Sequence, residues 1–257
     1  MSHFKEEVKK SYAKAINKYV QPTRLEQSSC CSPSPTSYKS QKSAQDDCCP
    51  SITIETKQES TIPSFGCVVN LVHKANIQKG DIVVDFGSGA GHDLFQAAEL
   101  AGPDGRAIGI DFTSDMITAG LKTVAKKGYT NVDFRLSDIE NINILPDNFA
   151  DVIISNCVIN LTLDKGAVFK EAFRILKPGG RLVDADIIAA NDLPTEITQD
   201  PEAWCSCLGG ALTETGYVEK IKEAGFSEVN VTIFDSFDYM QNQFHSGIIE
   251  AQKPLII

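Results

Sequence analysis

The stretch Val83-Val84-Asp85-Phe86-Gly87-Ser88-Gly89-Ala90-Gly91-His92-Asp93 decides the fold. A short apolar run ends in an acid, glycine then falls at every second position, and a helix-forming sequence follows. That order describes a buried strand turning sharply into a helix, the opening unit of a doubly wound α/β sheet. Alternating glycines leave no Cβ between a ligand and the backbone. Outward from this stretch, Ala107-Ile108-Gly109-Ile110-Asp111 is a second apolar run ending in an acid. An acid at that place is positioned to accept hydrogen bonds from ribose hydroxyls.

The ligand class follows from the spacing. The dinucleotide fingerprint is Gly-x-Gly-x-x-Gly, with a pyrophosphate at the helix N-terminus. Here Gly91 comes one residue early, and Asp85 stands two residues before Gly87. A carboxylate there repels a pyrophosphate and suits an ammonium group. S-adenosylmethionine has an amino-acid end, a sulfonium and an adenosine. The Asp-x-Gly-x-Gly-x-Gly pattern resembles that of class I methyltransferases. An ordinary tight turn is the competing reading, against which strand, helix and second acidic strand are all in place.

With 257 residues the chain is long enough for one domain with decorations and a real core. Its 24 basic and 34 acidic side chains give a net charge of −10. That disfavours a nucleic-acid backbone, whose binding relies on Lys and Arg clusters, and an anionic membrane surface as the main partner. No apolar run reaches the roughly 18 residues of a membrane span. The N-terminus lacks an apolar signal core, so the cytoplasm is expected. Eight cysteines are in excess. In a reducing compartment clustered cysteines bind soft ions or do redox chemistry more often than they form a disulfide framework.

Along the chain, apolar residues at spacings of three and four predict an amphipathic helix over 4–19. Residues 27–51 are rich in Ser, Pro and Gln, have no period and carry the pairs Cys30-Cys31 and Cys48-Cys49; they read as a mobile loop. Further helices are expected at 66–76, 92–101, 114–127 with Thr113-Ser114 as its cap, 165–176 and 214–224. Strands are expected at 81–85, 106–111, 132–136, 151–155 and 181–188, with Lys177-Pro178-Gly179-Gly180 as a turn before the last. Segments 228–237 and 246–253 form a terminal antiparallel hairpin. The fold expected is a Rossmann-like, seven-stranded, mostly parallel sheet with helices on both faces and a C-terminal antiparallel strand. Four regions follow: an N-terminal helix (1–26), a Cys/Ser/Pro-rich segment (27–60), a nucleoside-binding core (61–190) and a C-terminal part (191–257). Asp138, after the third strand, reads equally as an acceptor for an adenine amino group and as a turn residue.

Ligands of open α/β sheets lie beyond the carboxyl ends of the strands. Cys157 directly follows the fourth strand, Cys67 precedes the first, and Cys205 and Cys207 follow the fifth. Thiolates from three segments can therefore converge beside a methyl donor, and soft ligands select soft centres. Trivalent arsenic or antimony takes three sulfurs in a pyramid and keeps a lone pair on the remaining side. Such a lone pair attacks a sulfonium methyl without a general base, leaving alignment to supply the rate. Read singly, Cys67 suits packing, and Cys157 suits packing or a site. Zinc lacks its usual Cys-x-x-Cys spacing, since Cys205-Ser206-Cys207 is one residue short.

Gly66-Cys67, Asp85 to Asp93, Gly109-Ile-Asp-Phe-Thr113, Ser155-Asn-Cys-Val-Ile-Asn-Leu161, Glu171 to Gly180 and Trp204-Cys-Ser-Cys-Leu-Gly-Gly-Ala-Leu212 resemble arsenite S-adenosylmethionine methyltransferases over residues 8–254. The resemblance implies that Cys67, Cys157 and Cys207 are the arsenic-binding thiols, with Cys30 or Cys31 as an upstream redox thiol. It implies S-adenosylmethionine held by Asp85, Gly87, Ser88, Gly89, Gly91, Asp111, Phe112, Met116, Asp138, Ile139 and Asn156, and no structural metal. It further implies arsenite or a thiol-bound arsenite as substrate, for detoxification, with glutathione or thioredoxin as reductant. After Gly66-Cys67, Val68-Val69-Asn70 depart from the family pattern, and Phe112 replaces a common methionine. The alternatives are a methyltransferase for a small organic molecule and a non-enzymatic arsenic- or thiol-binding protein.

Overall fold

The sheet is built outward from β1 (Ile82–Phe86), which pairs in parallel with β2 (Arg106–Asp111) on one side and β4 (Ala150–Asn156) on the other. The computed structural model describes residues 3–20, 66–68 and 70–255. β3 (Val132–Leu136) extends the sheet beyond β2, and β5 (Leu176–Ala189) extends it beyond β4. β8 (Asn242–Gln252) runs antiparallel to β5, and β7 (Ser227–Tyr239) closes the edge antiparallel to β8. The long strands lie in the order β3-β2-β1-β4-β5-β8-β7. This is the expected doubly wound sheet with its antiparallel C-terminal strand. It holds eight strands rather than seven, because a two-residue β6 (Leu212–Thr213) pairs in parallel with the end of β5.

Central strands are buried on both faces, which explains their near-continuous Val and Ile runs. One face packs Val84, Phe86, Ile153 and Leu182 under α5 (Lys165–Ile175) and α8 (Glu214–Glu223). The other packs Val83, Ile154 and Val183 under α2 (Leu71–Lys74), α3 (His92–Ala101) and α4 (Ser114–Lys127). Burying each such side chain contributes on the order of 1.5–3 kcal/mol. Asp164 caps α5 by accepting from the Ala167 amide, and Thr213 caps α8 by accepting from the Gly216 amide.

Three expectations need correction. The helix at 66–76 shrinks to α2, because Asn70 sits in the left-handed region at φ 65° and stops it extending backward. Thr113 makes no side-chain cap for α4; the Asp111 carboxylate instead accepts from the Thr113 amide at 2.8 Å. Lys177–Gly180 is not a turn between elements but an irregularity inside β5: pairing jumps from Ala150↔Leu176 to Val152↔Arg181. Pro178 cannot donate to a ladder, and Gly179 at φ 80° takes up the distortion.

Outside the sheet, α1 (His3–Val20) lies against α4 and α7 (Pro201–Cys205). Its apolar face is that of the expected helix, with Val8 and Ile16 fully buried. Phe4 stacks on Trp204 of α7, ring centroids 5.2 Å apart. The pairs Cys30-Cys31 and Cys48-Cys49 lie outside the described residues.

Candidate active site

The turn after β1 is drawn back against β2. Gly87 and Ser88 both donate to the Ile110 carbonyl, and the Gly89 amide donates to Asp111 Oδ2 at 2.9 Å. Gly87 at φ 68° needs its missing Cβ, since one there would collide with the Val158 side chain. A Cβ on Gly89 would meet nothing closer than Met116 Sδ at 3.9 Å, so that glycine keeps a cradle open. This cradle floors a pocket of about 940 Å³, part of it open to solvent. Of the residues expected around a nucleoside, Asp85, Gly87, Ser88, Gly89, Asp111, Phe112, Met116, Asp138, Ile139 and Asn156 line it. Gly91 does not. Its Cβ would strike Phe134 Cζ at 2.6 Å, so its role is to let α3 start against the core.

The acids of the pocket are in different states. The Asp85 side chain is buried, its carboxylate makes no hydrogen bond to any described residue, and it is pushed well above the usual carboxylate range by burial and by Asp93 and Asp111. A buried acid of this kind is settled by a cationic donor. Asp111 is raised by burial, with backbone amides of Thr113 and Gly89 pulling the other way. Asp138 lines the pocket; its Oδ1 accepts from the Glu140 amide at 3.0 Å in a local turn, and its Oδ2 accepts from Lys5 Nζ at 2.6 Å.

Three thiols from distant segments meet beyond the ends of β4 and β5. Cys207 Sγ donates to the Cys157 carbonyl at 2.9 Å, and Cys67 packs against the apolar cluster that holds Cys157 and Cys207. Cys67 Sγ lies 3.6 Å from the Ala185 carbonyl, which also accepts the Cys157 amide at 2.7 Å. The neighbouring Cys207 and Cys67 thiols, together with burial, push the Cys157 thiol well above its ordinary value. For Cys67 the Cys157 contact lowers, but burial and the charges of Asp186, Cys207 and Asp184 outweigh it. Cys157 and Cys207 both have φ of 61°, a left-handed conformation that costs a non-glycine residue on the order of 1–3 kcal/mol. Cys157 lines the nucleoside pocket, so the thiols adjoin its inner end. Cys205 is buried in the same apolar cluster as Cys157 and Cys207.

Two features are absent from the sequence reading. Lys5, Val8 and Tyr12 of α1 line the pocket; helical spacing signals a buried face but not which surface it covers. Asp186 lies beside the thiols, with a carboxylate oxygen within 4.8 Å of both Cys157 Sγ and Cys207 Sγ. Its oxygens accept from the Asn160 and Ile187 amides, each at 2.9 Å, and burial pushes it up to about 6. The alternation Asp184-Ala185-Asp186 inside a buried strand is the signal that marks it.

The methyltransferase-domain family matches residues 77–244 of this chain. An arsenite methyltransferase of Halobacterium salinarum is 37% identical over 190 residues, covering 70% of this chain and 48% of that one. Another, from Aquipseudomonas alcaligenes, is 40% identical over 170 residues, covering 64% and 48%. The crystal structure of CrArsM, an arsenic(III) S-adenosylmethionine methyltransferase from Chlamydomonas reinhardtii, superposes with a TM-score of 0.63 at 28% identity, covering 73% of this chain and 71% of that one. The chain spans about half the length of the curated relatives it matches.

Proposed function

This chain belongs to the methyltransferase-domain family, and from that premise we propose that it methylates trivalent arsenic with S-adenosylmethionine as donor. The observation that carries the reading is the meeting of Cys67, Cys157 and Cys207 at the inner end of the nucleoside pocket.

Bound in the pocket, S-adenosylmethionine supplies an electrophilic methyl group on a sulfonium. Asp85 would take its ammonium end, Asp111 its ribose hydroxyls, and Asp138 with Ile139 its adenine, on a floor of Gly87, Ser88 and Gly89. Phe112, Met116 and Asn156 close the sides, and α1 roofs the site and excludes water. The three cysteines hold arsenic in a sulfur pyramid whose lone pair is left for the methyl group. Each As–S bond forms as the thiol's proton passes to the hydroxide or thiolate that leaves arsenic. Alignment in a buried site supplies most of the rate. Methylation takes arsenic from the trivalent to the pentavalent state, so an external thiol, glutathione or thioredoxin, returns the electrons, with Cys30 or Cys31 as the chain's own redox thiol. Among the described residues no helix is long and apolar enough to cross a membrane, and we place the reaction, a detoxification, in the cytoplasm.

The test is incubation with arsenite, a thiol and labelled donor, followed by chromatographic speciation of arsenic by mass spectrometry. Methylated arsenic is expected. Donor turnover on an organic acceptor alone, or arsenite binding without donor consumption, overturns the reading.

A further inference from the structure

We propose that Cys157, Asp186 and Cys207 form a binding site for a divalent cation of the zinc class, overlapping the three-thiol site but distinct from it. All three side chains are buried, and their donor atoms lie within 4.8 Å of one another. Zinc–sulfur and zinc–oxygen bonds of about 2.3 and 2.1 Å in a tetrahedron put neighbouring donors roughly 3.5–3.8 Å apart. The cluster therefore needs to contract by at most about 1 Å to close on such an ion.

The carboxylate is what separates this site from an arsenic site. Buried charges are paired with an opposite charge or coordinate a metal. Asp186 is fully buried, and the basic group whose charge acts on it is Lys165. That ammonium donates to the Asn160 and Thr162 carbonyls at 3.4 and 3.0 Å and lies 5.5 Å from the Trp204 ring centroid, so it offsets the Asp186 charge from a distance and forms no ion pair with it among the described residues. Asp186 is held rigid by the Asn160 and Ile187 amides, and each of its oxygens keeps a further acceptor lone pair. Trivalent arsenic is thiophilic and takes a third sulfur, whereas a zinc-class dication accepts a carboxylate oxygen beside two thiolates. Binding forms two metal–sulfur bonds and one metal–oxygen bond. Both thiol protons leave to solvent, and an exogenous ligand fills the fourth corner. Cys157 and Cys207 belong to both triads, so the cation and arsenic exclude one another; that competition, though not the cation site, rests on the arsenic reading.

The experiment uses the full chain with Cys30, Cys31, Cys48 and Cys49 replaced by Ser, to remove upstream thiols. Cadmium serves as probe through its thiolate charge-transfer absorption, and zinc is then used to displace it. Arsenite binding is followed separately by the fluorescence of Trp204, the chain's one tryptophan. Asp186→Asn is expected to weaken cadmium at least about tenfold and leave arsenite nearly unchanged. Cys67→Ser is expected to do the reverse. Unchanged cadmium affinity in Asp186→Asn overturns the proposal. So does an equal loss of both ligands in Cys67→Ser, which decides the matter if Asp186→Asn does not fold. Cadmium binding without arsenite binding in the parent chain supports the cation site while sinking the arsenic reading.

Discussion

Cys207 Sγ reaches across 50 residues of chain to donate to the Cys157 carbonyl at 2.9 Å. Each of the two residues sits at a positive φ, so the contact joins two strained turns, each oriented by the other. Cys157→Ser and Cys207→Ser are expected to lose arsenite affinity by more than the roughly 10–100-fold that loss of a ligand's supporting contact costs. Calorimetric binding of S-adenosylmethionine is expected to survive in both. Retained arsenic methylation in either variant contradicts the assignment.

Gly87→Ala places a Cβ against Val158 at a φ of 68°. Strain alone costs about 1–3 kcal/mol, and relief of the clash moves the cradle. The expectation is a lower unfolding midpoint together with at least tenfold weaker cofactor binding. By contrast Gly102→Ala, also at positive φ but with nothing within 4 Å, is expected to destabilise without altering cofactor affinity.

Lys5 pins α1 to Asp138 at 2.6 Å and to Glu140 at 2.9 Å. Lys5→Met keeps the side chain's apolar stem and removes both ion pairs. Faster release of S-adenosylmethionine is expected in stopped flow, by several-fold, because the roof over the pocket opens more often. An unchanged release rate removes α1 from the exit path.

Burial lowers the ammonium of Lys165 from 10.5 to about 8. The unfolded chain keeps that proton to a higher pH than the folded one, so between these values the unfolded state binds more protons. Stability therefore rises with pH across that window. The full effect is on the order of 3 kcal/mol at 1.36 kcal/mol per unit. Urea unfolding of the wild type and Lys165→Gln on either side of about pH 8 checks it: the wild type gains relative to the variant as pH rises.

Much of the nucleoside site is legible in the sequence because it is local. Asp85, the glycines and Asp111 sit at strand ends whose apolar runs declare themselves, and their positions follow from two adjacent crossovers. Gly91 does not line the pocket, which its place in the spacing does not reveal: Phe95, one helical turn on, and Phe134, from β3, take the space a Cβ would need. The turn expected at Lys177–Gly180 fails because β4 continues to pair with Leu176 beyond it. The roof formed by α1 is not legible, since a helical period carries no partner. Asp186 is marked in the sequence only as an acid inside a buried strand; that it lies beside Cys157 and Cys207 depends on the tertiary fold.

Asn156 has a final consequence. Its carboxamide accepts from the Val68 amide at 3.2 Å, and its nitrogen donates to the Val68 carbonyl and to Asp93 Oδ2, each at 2.9 Å. One side chain thus sutures the Cys67 segment to the wall of the neighbouring pocket. The distance from Cys67 to the donor pocket is consequently a dimension of the folded protein, set by a residue that also walls that pocket. Lengthening that suture by one methylene, as in Asn156→Gln, would detune the reach between them while leaving every thiol in place.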